Sequence, residues 1–130
     1  MYKVSATTLL VFEDPIPNAA EAIRGALSRA LVHYYPFAGR IVAGDDDDDD
    51  DDDDDVYIKC SGEGVAFVAA STDHAVKEVI CLDRSSPGAR TLADELAVYY
   101  PDMVCGTPSE PLLLMQVTEF SCGGFALGVT

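Results

Sequence analysis

Basic residues are scarce in this sequence and do not cluster. Only eight Lys and Arg residues occur among the 130, and they are scattered singly. Because phosphate contacts need clustered positive charge, we do not expect the chain to bind nucleic acid. The formal net charge is −15, and the eleven consecutive aspartates at 45–55 account for eleven of these charges, which leaves −4 for an otherwise ordinary domain.

Long apolar runs and closely spaced cysteines are also missing. No apolar run reaches the roughly 18 residues that a membrane span needs, and no signal-peptide cleavage site follows the N-terminus. The chain has four cysteines without a C-x-x-C pair, namely Cys60, Cys81, Cys105 and Cys122. This spacing favours neither a zinc site nor a dense disulfide scaffold. We therefore expect no membrane partner, a cytoplasmic location and reduced thiols that are mostly buried.

The residues that are present follow the pattern of a mixed α/β domain. Hydrophobic residues make up 48% of the chain, which suits one modest domain with its own core. Residues 7–12 are rich in β-branched and apolar side chains and predict a first strand. A helical rhythm of apolar residues then runs from Asn18, where Glu21 completes a predicted capping box. Pro36 ends this helix near Tyr34.

Three strands with turn signals between them predict an antiparallel meander, at residues 38–44, 56–60 and 65–70. The aspartate run 45–55 falls at the tip of the first hairpin, where repulsion between like charges predicts a solvated, disordered loop. Gly62 and Gly64 fall in the second turn. A phosphate loop would need a third glycine and a following helix, so a hairpin turn is the better interpretation there.

Two short helices are predicted after the meander. One occupies residues 71–80 with Thr72 as its cap, and the other occupies residues 91–100 with Thr91 as its cap. Pro101 ends the second helix. These helices would separate the meander from the last strands of the chain.

A buried hairpin is predicted at the end of the sequence. Residues 111–120 are almost continuously apolar, as in a central strand that is covered on both faces. Gly123 and Gly124 lie in the turn that follows, and a return strand begins at Phe125. We interpret Cys122 as a turn residue rather than a nucleophile, because nothing nearby in sequence would lower its pKa or act as its base.

The sequence alone shows no catalytic constellation. His33 and His74 have no Cys, Ser or acidic partner at a catalytic spacing, and both are interpreted as surface or cap residues. The aspartate run at 45–55 lacks the spaced ligands, the turn glycine and the terminal Glu of a calcium loop. No metal site is predicted.

Three segments together resemble plant BAHD acyltransferases, with benzyl alcohol benzoyltransferase-like enzymes as the most similar group. They are ALSRALVHYYPFAGRI at 26–41, VYIKCSGEGVAFVAA at 56–70 and PLLLMQVTEFSCGGFALGVT at 111–130. The resemblance implies an α/β fold, the N-terminal part of a chloramphenicol acetyltransferase-like domain with a mixed sheet and a long first helix. It also implies that residues 1–130 are only part of that domain and that the C-terminal domain is absent.

The same resemblance implies an activity and the roles of several residues. The family transfers an acyl group from acyl-CoA, its co-substrate, to a small alcohol or amine without a bound cofactor, and full-length members are usually monomeric. The base is a histidine in a His-x-x-x-Asp motif, which is missing here, so we expect no catalytic residue and an inactive fragment. A structural role is implied for Tyr35, Pro36, Gly39, Arg40, Gly123 and Gly124. Gly39 would allow close helix-to-sheet approach, and Arg40 would bind a local carboxylate or carbonyl.

Two other functions remain open from the sequence. One is a truncated, non-catalytic paralogue that acts as an interaction module or has no role. Its last strand would be unpaired and therefore prone to association. The other is a free-standing acidic cation binder built on residues 45–55.

Overall fold

The computed structural model describes residues 5–44, 56–81, 85–100 and 110–130. The prediction of a disordered loop at 45–55 and the prediction for Cys105 lie outside the described residues. The elements, in chain order, are β1 (Thr8–Phe12), α1 (Ala19–His33), a 3₁₀ turn (Tyr35–Ala38), β2 (Arg40–Ala43), β3 (Val56–Lys59), β4 (Ala66–Thr72), α2 (Val76–Ile80), α3 (Pro87–Glu95), β5 (Leu114–Phe120) and β6 (Phe125–Val129).

The described strands form two sheets. The larger sheet has four strands in the order β1-β6-β5-β4, and the smaller one pairs β2 with β3. In the larger sheet β6 is antiparallel to β1 and β5, whereas β4 is parallel to β5. A parallel pair needs a long crossover, and the segment with α2 and α3 supplies it. The predicted mixed α/β sheet with a long first helix is therefore confirmed.

The predicted antiparallel meander is wrong. β2 and β3 do pair antiparallel, but β4 leaves them and joins the larger sheet beside β5. Gly62 and Gly64 have φ values of 70° and 91°, which redirect the chain between the sheets. The N–H of Gly64 donates to the carbonyl of Ala38 at 2.9 Å and fixes this link. The segment is a connection between two sheets rather than a hairpin turn.

The prediction of an unpaired last strand is also wrong. β6 lies between β5 and β1, because the N-terminal strand returns to pair along its whole length. The register runs from Thr8 opposite Val129 to Phe12 opposite Phe125, and the rings of the two phenylalanines stack at 4.7 Å. Within the described residues, the edges of the larger sheet are β1 and β4 instead.

Helices cover both faces of the larger sheet. On one face Ala19 and Ile23 of α1 pack against Val117 of β5. On the other face Val76 of α2 packs with Leu96 and Phe120. β5 is buried along nearly its whole length, which confirms the prediction of a central strand covered on both sides.

The N-terminus of α1 is not capped in the way that the sequence predicts. α1 ends at His33 as expected, but the side chain of its N-cap Asn18 makes no capping bond and the residue has φ of 51°. Instead Oε1 of Glu119, on β5, accepts from the N–H of Ala20 at 3.4 Å. A carboxylate from the neighbouring strand thus replaces the predicted capping box.

The two later helices begin at other residues than predicted. Thr72 does not cap α2, because β4 continues through it and pairs with β5. α3 begins at Pro87 rather than Thr91, and Oγ of Ser86 accepts from the N–H of Ala89. It ends at Glu95, well before residue 100. The Ser-Pro pair is the N-cap and first-turn signal that the interpretation missed.

Candidate functional site

Arg40 is the one charged residue among the predicted site residues, and it is buried. It opens β2 and is only 9% exposed. Its Nη1 donates to the carbonyl of Gly39 at 2.8 Å and to the carbonyl of Gly64 at 2.7 Å. The second bond ties the small sheet to the connection that leads into β4. Arg40 therefore joins the two sheets, and its acceptors are backbone carbonyls.

The surroundings of Arg40 only partly neutralise its charge. Its Nε lies 3.9 Å from Oε2 of Glu63 and has no hydrogen-bond partner among the described residues. Glu63 is half exposed and accepts from Oγ of Ser61 at 2.5 Å. Burial raises the pKa of Tyr100, the carboxylate of Glu110 raises it further, and the charge of Arg40 lowers it. The Tyr100 hydroxyl therefore stays protonated and donates to the carbonyl of Pro111 at 2.7 Å.

Tyr35, Pro36 and Gly39 lie together where α1 turns into β2. Tyr35 and Pro36 begin the 3₁₀ turn, and the N–H of Gly39 donates to the carbonyl of Pro36 at 3.0 Å. A Cβ on Gly39 would overlap the carbonyl oxygen of Lys59. The close neighbour of this glycine is thus strand β3, not a helix as expected.

Gly123 and Gly124 lie in the turn between β5 and β6. Gly123 has φ of 100°, a conformation that suits glycine. A Cβ on Gly124 would lie 2.7 Å from the carbonyl oxygen of Phe12, so this turn packs tightly on the end of β1. The two glycines are required by backbone geometry, and neither presents a reactive group.

The cysteines differ from the prediction of buried thiols. Cys60, Cys81 and Cys122 are free and exposed. The N–H of Val76 donates to Sγ of Cys122 at 3.4 Å, and this bond is the largest cause of a lowered pKa of the thiol. A backbone hydrogen bond from Gly124 is the next largest cause. The expectation that nothing lowers this pKa was wrong, because the donors come from a distant helix and from the turn itself.

One histidine has an acidic partner that the sequence interpretation did not assign. Nδ1 of His74 lies 2.9 Å from Oε2 of Glu78, and both side chains are more than half exposed. The four-residue spacing was the available signal. An exposed pair of this kind contributes about 0.5 kcal/mol or less, which fits a surface role. His33 is exposed at the end of α1.

Neither a metal-binding cluster nor a membrane-spanning helix is present in the described part of the chain. It contains no group of three or more His, Cys, Asp or Glu side chains that is arranged to hold a metal ion. No helix in residues 5–44, 56–81, 85–100 and 110–130 has both the length and the apolar character to cross a membrane.

The fold matches solved enzymes over nearly the whole chain. It superposes on vinorine synthase with a TM-score of 0.64 and 23% identity, covering 95% of this chain and 28% of that one. It superposes on F. sporotrichioides TRI101, crystallised with Coenzyme A and T-2, with a TM-score of 0.52 and 22% identity. That match covers 95% of this chain and 29% of the other. The chain therefore shares its mixed α/β fold with these two proteins.

Sequence comparison gives the family. The Transferase family model matches residues 2–130. Acyl transferase 15 of Oryza sativa subsp. japonica is 45% identical over 98% of this chain and 29% of its own length. Alcohol acyltransferase 17 of Actinidia deliciosa is 40% identical over 90% of this chain and 22% of its own length. The chain belongs to the Transferase family, which confirms the resemblance to plant BAHD acyltransferases, and it spans less than a third of these relatives.

Proposed function

We propose that residues 1–130 form the N-terminal part of an enzyme that transfers an acyl group from acyl-CoA to an alcohol or amine. The observation that supports this most is the family match across residues 2–130, together with 45% identity to a rice acyl transferase. The crystallisation of TRI101 with Coenzyme A agrees with acyl-CoA as donor. We propose the cytosol as the compartment, in keeping with the unpaired thiols of Cys60, Cys81 and Cys122.

We further propose that these residues act as scaffold and that the general base lies outside them. The 130 residues contain no His-x-x-x-Asp motif, and the nearest pattern, His74 to Glu78, is an exposed surface pair. A base must reach the acceptor hydroxyl within hydrogen-bond distance, usually in a site that excludes water. The C-terminal domain would supply that enclosure. Structural roles are proposed for Tyr35, Pro36, Gly39, Arg40, Gly123 and Gly124.

A chimera tests the scaffold role. Residues 1–130 replace the aligned part of Alcohol acyltransferase 17 from Actinidia deliciosa, and ester formation is measured by mass spectrometry with several acyl-CoA donors and alcohols. We expect transfer, because the imported residues carry the same fold and none of the catalytic groups. The parent enzyme is the positive control. A chimera that is folded by circular dichroism but forms no ester contradicts the scaffold role.

The isolated chain tests the location of the base. Purified residues 1–130 are incubated with the same donors and alcohols, and we expect no ester above the protein-free blank. Turnover by the isolated chain would show that the base lies within these residues. The chimera and the isolated chain therefore test separate parts of the proposal.

The alternative, a non-catalytic interaction module, is favoured by one observation. Among the described residues, β4 has a strand partner on one side only, and it contains no charged residue. Active chimeras would not exclude this alternative for the isolated chain.

A further inference from the structure

One face of the small sheet is apolar and exposed. No residue of β3 is buried, and 48% of Ile58 is accessible. Directly opposed residues of an antiparallel pair lie on the same face, and the register places Ile58 opposite Ile41 and Val56 opposite Ala43. These four residues, which we call the apolar face, include no polar side chain.

The opposite face of the small sheet carries the contacts that hold it in place. There Arg40 lies opposite Lys59, and Nη1 of Arg40 donates to the carbonyl of Gly64. Neither β2 nor β3 makes extensive contact with another helix or strand of the described residues. A pair of strands is only marginally stable alone in water, and the apolar face of an antiparallel sheet normally packs on a core. The composition of the apolar face therefore calls for a cover that the described residues do not supply.

We propose that the apolar face is covered by the part of the full-length acyltransferase that lies outside residues 1–130. This inference rests on the proposed function, in which the 130 residues are one part of a longer enzyme. They correspond to 29% of Acyl transferase 15 and to 22% of Alcohol acyltransferase 17. More than two thirds of each relative therefore has no counterpart here and is available to pack on this face.

Charge argues against a second copy of this chain as the cover. The eleven aspartates at 45–55 join β2 to β3 in sequence. Two copies that paired their apolar faces would bring two such runs to one interface, where like charges repel over a distance of about 8–10 Å. A cover from the same polypeptide meets only one run. We expect this cover to be apolar at its centre and basic where it approaches residues 45–55.

An introduced cysteine measures whether the apolar face is covered. Ile58→Cys, in a Cys60→Ser background, is labelled with N-ethylmaleimide in residues 1–130 and in the chimera with Alcohol acyltransferase 17. Peptide mass spectrometry gives the rates. We expect position 58 to react about tenfold or more slowly in the chimera, because the cover excludes the reagent. The matched control, Val32→Cys on the exposed surface of α1, should react at similar rates in both proteins. Equal rates at position 58 overturn the proposal.

A natural full-length relative gives a measurement that does not depend on whether the chimera folds. A cysteine replaces the residue of Alcohol acyltransferase 17 that aligns with Ile58, and it is labelled in the folded protein and in urea. We expect labelling to be about tenfold or more slower in the folded protein. A folded protein in which this cysteine reacts as fast as in urea contradicts the cover.

Sedimentation velocity of residues 1–130 tests the second copy. At about 0.05 M NaCl we expect a monomer, because the aspartate runs of two copies repel. A dimer that Ile58→Lys abolishes would identify a second copy as the cover and overturn the proposal.

Failure of this inference is distinguishable from failure of the proposed function. An active chimera in which position 58 reacts freely refutes the cover and leaves acyl transfer in place. A folded, inactive chimera in which position 58 is protected supports the cover and contradicts the scaffold role.

Discussion

Gly128 allows the end of α3 to lie directly on β6, and its replacement by alanine provides a direct test of the fold. A Cβ there would overlap the carbonyl oxygen of Leu96 and lie 2.8 Å from Cβ of Ala97. Gly128, Leu96 and Ala97 are all buried. Two of the three close atoms belong to the backbone, so no side-chain rotation relieves the overlap. The last turn of the α3 segment must move away from the sheet.

The expected change in the free energy of unfolding for Gly128→Ala is the sum of two opposing effects. Overpacking a close-packed site costs about 1–3 kcal/mol, and a backbone obstacle places this site in the upper part of that range. Removing the backbone freedom of a glycine returns about 0.5–1 kcal/mol, because Gly128 has no positive φ that would strain an alanine. We expect Gly128→Ala to lower the free energy of unfolding by about 1–2 kcal/mol.

Urea unfolding followed by circular dichroism measures this change, and the chain offers a matched control. Gly25 lies inside α1, and the nearest atom to an added Cβ there is Nη1 of Arg29 at 3.7 Å. Gly25→Ala should raise the stability by about 0.5–1 kcal/mol, since alanine favours the helix and nothing obstructs it. The same substitution thus has opposite signs at the two positions. A Gly128→Ala protein as stable as the wild type would refute the close contact between the α3 segment and β6.

Three further predictions follow from the same structure. Arg40→Lys should lower the free energy of unfolding by about 1–3 kcal/mol, measured in urea, because an ammonium replaces a planar group that donates to two carbonyls. The control Arg24→Lys, on an exposed helix surface, should have little effect. Val117→Ala removes two methyl groups at a position with 0% exposure and should lower the free energy of unfolding by about 2–3 kcal/mol. The control Val32→Ala, at a position that is 73% exposed, should change it by less than about 0.5 kcal/mol. Cys122 should react with iodoacetamide with a pH midpoint below that of an unstructured cysteine peptide, because N–H donors lower its pKa; a midpoint at or above the peptide value, by mass spectrometry, would contradict this.

Local patterns in the sequence predicted the elements well where one signal dominated. Pro36 ends α1 within one residue of the expected position, and the apolar run before Phe120 is the central strand. Errors arose where a tertiary contact replaced a local one. Glu119 takes the place of the predicted capping box of α1, and Ser86 rather than Thr91 begins α3. A strand 99 residues away in sequence is not visible to a pattern that spans a single turn of helix.

Strand pairing shows the same limit at a larger scale. Period-two patterns identify strands but do not specify partners, so neighbours in sequence were assumed to pair. The structure instead pairs β1 with β6 across more than a hundred residues and sends β4 away from β3 through Gly62 and Gly64. The sequence predicted a turn at these two glycines, but it did not predict the direction in which the chain leaves that turn. As a result, the sequence placed an unpaired strand at the end of the chain, whereas the edge strands of the larger sheet, within the described residues, are β1 and β4.

The location of β4 also changes how the candidate site is interpreted. Arg40 joins the small sheet to the connection that enters β4, because its bond to the carbonyl of Gly64 holds the residues just before this strand. We expect Arg40→Lys to speed amide hydrogen exchange at the start of β4 more than at its centre, which the pairing with β5 also holds. An Arg40→Lys protein in which the start of β4 exchanges as slowly as in the wild type would show that the pairing with β5 alone orders this strand.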